Sequence, residues 1–154
     1  MTETNYFDSS ALVKHYFIET GSTWVQNRYN DPAQIIALSD IGRVEIAAAF
    51  ASKLRGKTVS QANYQKALEK LAADTQQRYQ ILSLTSDRVD EAITLTTRHK
   101  LRGYDAVHLA CALFLNQALL KHQLDPVVFV SADNDLLAAA QAEGLAVENP
   151  NLYS

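Results

Sequence analysis

The chain has 154 residues, 47% of them hydrophobic and 20% charged, which fits one globular domain and excludes a disordered, collagen-like or repeat protein. The net charge of −3 excludes a protein that binds nucleic acid through its overall charge, so any such contact needs a local basic patch or bound cations. The single cysteine, Cys111, excludes a disulfide scaffold. Residues 1–5 lack the order of a signal peptide and no apolar run reaches membrane-spanning length, so we expect a cytoplasmic protein.

Short apolar runs alternate with segments of helical spacing along the whole chain. The apolar runs predict strands at residues 6–7, 35–38, 79–84, 127–130 and 145–147. The helical spacing predicts helices at residues 11–17, 23–29, about 40–54 and 104–120, with three more after Ser60, after Ser86 and up to Ala142. Ser22, Ser60 and Ser86 are predicted to cap the helices that they precede. This alternation is typical of one α/β domain with a parallel sheet between layers of helices.

Four acidic residues occupy positions where these predicted elements meet. Asp8 and Asp133 each follow a strand, and Asp105 opens a helix that is apolar nearly all round. Each of the three has an ordinary interpretation as a helix cap or a dipole partner. Glu45 is harder to explain, because it lies in mid-helix beside apolar neighbours and acids are rarely buried unless they are paired or bind metal. Since the carboxyl ends of parallel strands meet at one edge, we expect all four acids to converge there.

Four ionised carboxylates in one place predict a bound cation. Two such charges repel by about 4 kcal/mol at about 4 Å when the effective dielectric constant is near 20. A divalent ion converts this repulsion into coordination, and hard cations prefer oxygen ligands. A set of carboxylates with no His or Cys ligand favours Mg²⁺ or Mn²⁺ over zinc.

Several polar residues near these acids have two readings each. Ser10 and Ser131 either cap helices or orient a carboxylate, and His108 is either a hydrogen-bonded core histidine or a residue that orients Asp105. Two basic runs either bind phosphate groups or are simply solvated: Lys53, Arg55 and Lys57, and Arg98, Lys100 and Arg102. Arg43, two residues before Glu45, contacts either a substrate or an acid.

Four blocks of sequence carry the acids in a recognisable order. They are residues 6–14 (YFDSSALVK), Val44-Glu45, residues 101–110 (LRGYDAVHLA) and residues 128–133 (VFVSAD). This set resembles the PIN-domain ribonucleases, and among them the VapC-type toxins of bacterial toxin–antitoxin pairs. The first and third blocks are the most specific, and no acid of the family is missing. The fourth acid is the most variable in the family, and Asp135 is an alternative to Asp133.

The resemblance implies a single PIN-like domain over residues 1–154, in which a central parallel sheet of about five strands is sandwiched by helices. It implies Mg²⁺- or Mn²⁺-dependent cleavage of single-stranded regions of RNA, of the transfer or ribosomal RNA class. The catalytic and metal-binding residues would be Asp8, Glu45, Asp105 and Asp133, with Asp8 and Asp105 as direct ligands. It also implies a homodimer and a cognate, VapB-like antitoxin partner.

Two other functions fit parts of the pattern. A phospho-acceptor receiver domain also has an acidic pocket on such a sheet, but it needs paired acids after the first strand and a lysine after the last. Here Asp8 has no acidic neighbour and Val147 is followed by Glu148. A non-catalytic PIN-like module that binds RNA or protein is the closer alternative, and loss of an acid would mark it.

Overall fold

A five-stranded, wholly parallel sheet forms the centre of the computed structural model, which describes residues 2–153. The strands are β1 (Glu3–Phe7), β2 (Gln34–Ser39), β3 (Tyr79–Leu82), β4 (Val128–Val130) and β5 (Ala146–Glu148). Their spatial order is β3-β2-β1-β4-β5, so β1 is the central strand. The prediction of an α/β fold with a parallel sheet of about five strands is confirmed.

The helices cover both faces of this sheet. They are α1 (Ser9–Leu12), α2 (Ser22–Asn30), α3 (Asp40–Arg55), α4 (Gln61–Gln77), α5 (Ser86–Arg98), α6 (Gly103–Lys121) and α7 (Asn134–Ala142), with 3₁₀ turns at Val13–His15 and Pro150–Leu152. Successive side chains of a strand point to opposite faces. Tyr6 therefore packs with the core under α5, α6 and α7, and Phe7 packs with the core under α1 to α4.

The register of the sheet aligns the carboxyl ends of its central strands. Tyr6 is paired with Ala37 of β2 and with Phe129 of β4, and Phe7 is paired with Val130. The residues that follow β1 and β4 therefore emerge side by side at one edge. This is the edge at which ligands bind in open α/β sheets.

The predicted helix at residues 11–17 is wrong in its extent, because α1 ends at Leu12 and gives way to the 3₁₀ turn. Four of the predicted strands are misplaced by one or two residues at an end, and the first begins three residues too late, since β1 starts at Glu3.

Of the three predicted serine caps, only one is confirmed: the Ser60 hydroxyl accepts a hydrogen bond from the Asn63 amide at 3.1 Å. Thr85 rather than Ser86 caps α5. Ser22 lies inside α2, where its hydroxyl instead accepts from the Glu19 amide at 2.9 Å, and Gly21 takes the cap position. A Cβ on Gly21 would lie 2.7 Å from the Pro150 carbonyl oxygen, so the chain needs glycine at this place.

None of the helices among the described residues combines the length and the apolar character that crossing a membrane requires.

Candidate active site

Asp8 lies directly after the central strand and is almost fully buried, with 4% of its surface exposed. Its Oδ1 accepts hydrogen bonds from the Ser10 hydroxyl at 2.7 Å and from the Ala11 amide at 3.1 Å, which caps α1. Its Oδ2 accepts from the Ser131 hydroxyl at 2.7 Å. Burial raises the pKa of Asp8 above its ordinary value, and the hydrogen bonds from Ser131 and Ser10 offset this only in part.

The two serines join the segments that follow β1 and β4. The Ser10 hydroxyl accepts a hydrogen bond from the Ala132 amide at 3.0 Å, and the Ser131 hydroxyl accepts from the Asp133 amide at 3.0 Å. Of the two readings from sequence, the structure supports orientation of a carboxylate, because the helix caps are the aspartates Asp8 and Asp133 themselves.

Asp105 and Asp133 face the same guanidinium group. Nε of Arg102 donates to Asp105 Oδ2 at 3.1 Å, and its Nη2 lies 3.5 Å from Asp133 Oδ2. Asp133 also caps α7, since its Oδ1 accepts from the Asp135 amide at 2.9 Å. Burial raises the pKa of Asp105, while the Arg102 contact opposes that rise. Asp133 rather than Asp135 therefore belongs to this group of contacts.

Glu45 projects from α3 and contacts His108 of α6. Its Oε1 is hydrogen-bonded to His108 Nε2, and His108 Nδ1 lies 2.8 Å from the Tyr6 hydroxyl oxygen. The prediction of a hydrogen-bonded, buried histidine is confirmed. Its partners are Glu45 and Tyr6, and the alternative reading, in which it orients Asp105, has no hydrogen bond to support it.

Side chains thus join three of the four predicted acids, and the fourth, Glu45, contacts the helix that Asp105 opens. Ser131 joins Asp8 to the Asp133 segment, Arg102 joins Asp133 to Asp105, and His108 follows Asp105 by one turn of α6 and contacts Glu45. Within residues 2–153, no three Asp, Glu, His or Cys side chains are placed so that they could hold a metal ion. The acids themselves offer only oxygen donors, the chemistry that Mg²⁺ and Mn²⁺ prefer.

Most of the predicted basic residues have acidic partners. Arg98 donates two hydrogen bonds of 3.1 Å to Glu143, and Arg43 donates to Asp40 at 3.0 Å. Lys53 lies 3.7 Å from Glu19. Arg102 is the basic residue that contacts the acids of the site, and its role as their bridge was not predicted. The sequence signal was its position three residues before Asp105, within reach on one helical turn.

The protein is thus an α/β protein with a five-stranded parallel sheet, and Asp8 and Asp133 lie at the edge where such sheets bind ligands. Comparison with protein families matches residues 6–142 to the PIN domain. The chain is 32% identical over 143 residues to Ribonuclease VapC45 of Mycobacterium tuberculosis. These aligned residues cover 92% of this chain and 92% of that protein. This chain belongs to the PIN-domain family.

Solved structures share the fold at low sequence identity. VapBC2 from Rickettsia felis, bound to a DNA fragment from its promoter, superimposes with a TM-score of 0.62 and 14% identity, covering 95% of this chain and 98% of that chain. A toxin–antitoxin complex from Klebsiella pneumoniae gives a TM-score of 0.58 and 18% identity, covering 95% and 97%. PIN-domain ribonucleases are generally dependent on a divalent metal.

Proposed function

We propose that this protein is a metal-dependent endoribonuclease that cleaves single-stranded regions of transfer or ribosomal RNA and acts as the toxin of a toxin–antitoxin pair. The connected set Asp8, Asp105 and Asp133 carries the proposal, together with Glu45, which contacts His108 of the helix that Asp105 opens. Asp8 and Asp133 follow neighbouring strands at the edge where open α/β sheets bind ligands. The 32% identity to a protein named Ribonuclease VapC45 supports the same activity.

The donor atoms suit Mg²⁺ or Mn²⁺, since all four acids offer oxygen, although their side chains do not form a ready three-ligand set among the described residues. Bound there, the ion would make an attacking water more acidic and offset charge on the phosphate oxygens. Asp8 and Asp105 would be the direct ligands, and Asp133 and Glu45 would orient the water or complete the ligand set.

The protein's own groups hold these carboxylates in place. Ser10 and Ser131 donate to both oxygens of Asp8, which fixes the plane of its carboxylate at the end of β1. His108 holds Glu45 in the same way from α6. Positioning of this kind lowers the entropic cost of bringing the reacting groups together.

The test is cleavage of a single-stranded RNA oligonucleotide by the Asp105→Asn protein in the presence of Mn²⁺. We expect activity to fall about 100-fold or more, because the variant loses a charged oxygen ligand but keeps the size of the side chain. Asp135→Asn is the matched control, since this exposed acid lies outside the connected set and should keep wild-type activity. Removal of divalent ions with EDTA should abolish cleavage by the wild-type chain.

The alternative function is a non-catalytic PIN-like module. It predicts that the wild-type chain binds the oligonucleotide without cutting it, with or without Mn²⁺, and that Asp105→Asn leaves this binding unchanged. Cleavage that survives EDTA, or that is equal in the wild type and Asp105→Asn, would count against the metal-dependent proposal.

The antitoxin and the homodimer are part of the proposal and are supported by the VapC-type resemblance of the sequence. A toxin of this kind should arrest growth when it is expressed alone, and a small protein encoded beside it should relieve the arrest and copurify with it. Growth arrest that persists in the Asp105→Asn variant would separate toxicity from the proposed nuclease site.

A further inference from the structure

Tyr104 presents an exposed aromatic ring beside the acids of the candidate site. It directly precedes Asp105 in the chain, and 38% of its surface is exposed. Tyr6 and Phe7, the aromatic residues that precede Asp8, are by contrast fully buried in the core. A ring that stays at the surface next to Asp105 is available to a ligand that reaches this edge of the sheet.

The guanidinium of Arg102 holds the Tyr104 ring close to two of these acids. It lies 4.8 Å from the centre of the ring, within the range of a cation–π contact. The same guanidinium donates from Nε to Asp105 Oδ2 at 3.1 Å, and its Nη2 lies 3.5 Å from Asp133 Oδ2. Since a tyrosine side chain has only two χ angles, one such contact restrains the ring strongly. Tyr104 is thus tied, through Arg102, to both carboxylates.

The surface beside Tyr104 is open. A Cβ added to Gly103 would meet no atom within 4 Å among the described residues. Lys100 and Arg102, which flank this position, are exposed as well. The connection between α5 and α6 therefore leaves room for a ligand next to the ring.

Ionic contacts supply little of the affinity that this chain could have for RNA. The net charge is −3, and the basic side chains of Arg43, Lys53 and Arg98 each contact an acidic side chain. The acids of the site also repel phosphate groups. Stacking of a base on an aromatic ring needs no net charge and strengthens the binding of single strands considerably. An exposed aromatic ring at this edge therefore suits an RNA base better than it suits the backbone.

We propose that Tyr104 is the platform on which one nucleobase of the single-stranded RNA stacks beside the acids, and that Arg102 is the positioning residue that holds the ring there. The inference rests on the proposed function, which supplies the RNA, and it adds a contact that needs no metal ion. Every base has an aromatic face, so the contact selects an unpaired strand rather than one sequence.

Phe114 provides a matched control on the same helix. It is 43% exposed, and the guanidinium of Arg88 lies 3.8 Å from the centre of its ring. Arg88 pairs with Glu91, which is not one of the acids of the site. Phe114 follows Tyr104 by ten residues, which is about 15 Å along a helix. Tyr104→Leu and Phe114→Leu thus remove the same kind of exposed ring near the acids and away from them.

The first measurement is binding of a fluorescently labelled, single-stranded RNA oligonucleotide in EDTA, followed by polarisation. We expect Tyr104→Leu to raise the Kd about tenfold, because one base loses its stacking partner. Tyr104→Phe and Tyr104→Trp keep an aromatic face and should keep the wild-type affinity. Arg102→Ala leaves the ring in place without its support, so its Kd should rise about threefold. Phe114→Leu should bind as the wild type does.

The second measurement distinguishes a base from a phosphate as the group that contacts Tyr104. Stacking releases no counter-ions, so Tyr104→Leu should show the wild-type slope of log K against log salt. A lost phosphate contact would instead reduce this slope by about 0.7. An oligonucleotide of the same length without bases should bind equally to the wild type and to Tyr104→Leu.

The outcomes separate this inference from the function on which it rests. Equal binding of the RNA by the wild type and Tyr104→Leu overturns the stacking platform, as does a wild-type chain that binds no RNA in EDTA. A reduced salt slope in Tyr104→Leu overturns it in favour of a phosphate contact. Cleavage in Mn²⁺ tests the nuclease proposal independently. A wild-type chain that binds RNA through Tyr104 but never cuts it would retain the platform and lose the proposed activity.

Discussion

His108 is fixed at both ring nitrogens, and this determines how it presents Glu45. A carboxylate can only accept, so Nε2 carries the proton that is donated to Glu45. In the neutral ring, Nδ1 then accepts from the Tyr6 hydroxyl at 2.8 Å. Burial raises the pKa of Tyr6 well above its ordinary value, so its hydroxyl keeps its proton. In the proposed site, Tyr6 would therefore position Glu45 through His108.

Replacing Tyr6 with phenylalanine tests this role while preserving the aromatic packing. We expect Tyr6→Phe to lower kcat about tenfold with little change in KM, because His108 loses the partner that fixes its orientation. The buried nitrogen left without a partner should also lower the free energy of unfolding by about 1–2 kcal/mol. Steady-state kinetics on an RNA oligonucleotide and urea unfolding measure the two effects.

Tyr153→Phe is the control, since the Tyr153 hydroxyl bonds to Glu148 at the surface. The Tyr153→Phe variant should keep the wild-type kcat and the wild-type free energy of unfolding. A Tyr6→Phe variant that loses stability but retains wild-type kcat would limit Tyr6 to a purely structural role.

At the scale of elements, a buried carboxylate on α4 ties several segments together away from the acidic site. Asp74 accepts hydrogen bonds from the Tyr16 hydroxyl at 2.8 Å and from the Tyr29 hydroxyl at 2.5 Å. The Tyr16 hydroxyl also lies 2.6 Å from that of Tyr79 at the start of β3, and His15 Nε2 is 3.6 Å from Asp74. This Asp74 network joins α2, α4, β3 and the segment after α1.

The Asp74 network makes the stability of the fold depend on pH in the acid range. Burial alone would raise the pKa of Asp74, but contacts with His15, Tyr29 and Tyr16 and the charge of Lys70 lower it from 3.8 to about 2. Because the pKa of Asp74 is lower in the folded state than in the unfolded chain, its ionised form stabilises the fold at pH values above the unfolded-state pKa. This contribution disappears as the pH falls through the folded-state pKa. The window of loss is therefore about pH 4 to 2.

We expect Asp74→Asn to lower the free energy of unfolding by about 2 kcal/mol at pH 7, the equivalent of that pKa shift. The difference from the wild type should shrink as pH falls from about 4 towards 2, because the wild-type carboxyl then becomes neutral as well. Urea unfolding at each pH measures this difference in the free energy of unfolding. The control is Asp90→Asn, which changes an exposed acid. A difference that is constant across this range would exclude ionisation of Asp74 as its cause.

For the whole molecule, the proposed acidic site draws on segments that lie far apart in the chain. Asp8, Glu45, Asp105 and Asp133 follow or belong to β1, α3, α6 and the β4–α7 connection. A ligand held by all of these segments binds only the folded state. Metal binding should therefore stabilise the entire domain rather than one loop.

Mn²⁺ at about 100 times its Kd should stabilise the fold by about 2.7 kcal/mol, which corresponds to a rise in Tm of about 5–10 °C for a chain of this size. Asp105→Asn should remove most of this rise, and Asp135→Asn should retain it. Thermal unfolding with and without Mn²⁺ provides the measurement. An equal rise in both variants would mean that the ion binds elsewhere.

Local patterns in the sequence were enough to predict the strands, most helices and the positions of Asp8 and Asp133 after β1 and β4. Uninterrupted apolar runs such as residues 127–130 identify buried strands, and the mid-helix position of Glu45 singles it out. The predictions that failed are those that depend on contacts between residues far apart in the chain. Ser22 could not be excluded as a cap without knowing that Pro150 packs against Gly21. Nor could the contact of Glu45 with His108 be predicted, because it requires the packing of α3 beside α6.

The central position of β1 has a consequence for how the chain is made. One edge of β1 pairs with β4, more than 120 residues later, and Asp8 receives a hydrogen bond from Ser131 of the same late segment. A growing polypeptide that stops before residue 128 thus has an open edge on its first strand and lacks Asp133 altogether. Since pairing of this kind waits for the later residues to be synthesised, the carboxyl edge of the sheet and the acids on it are completed only after translation has passed residue 133.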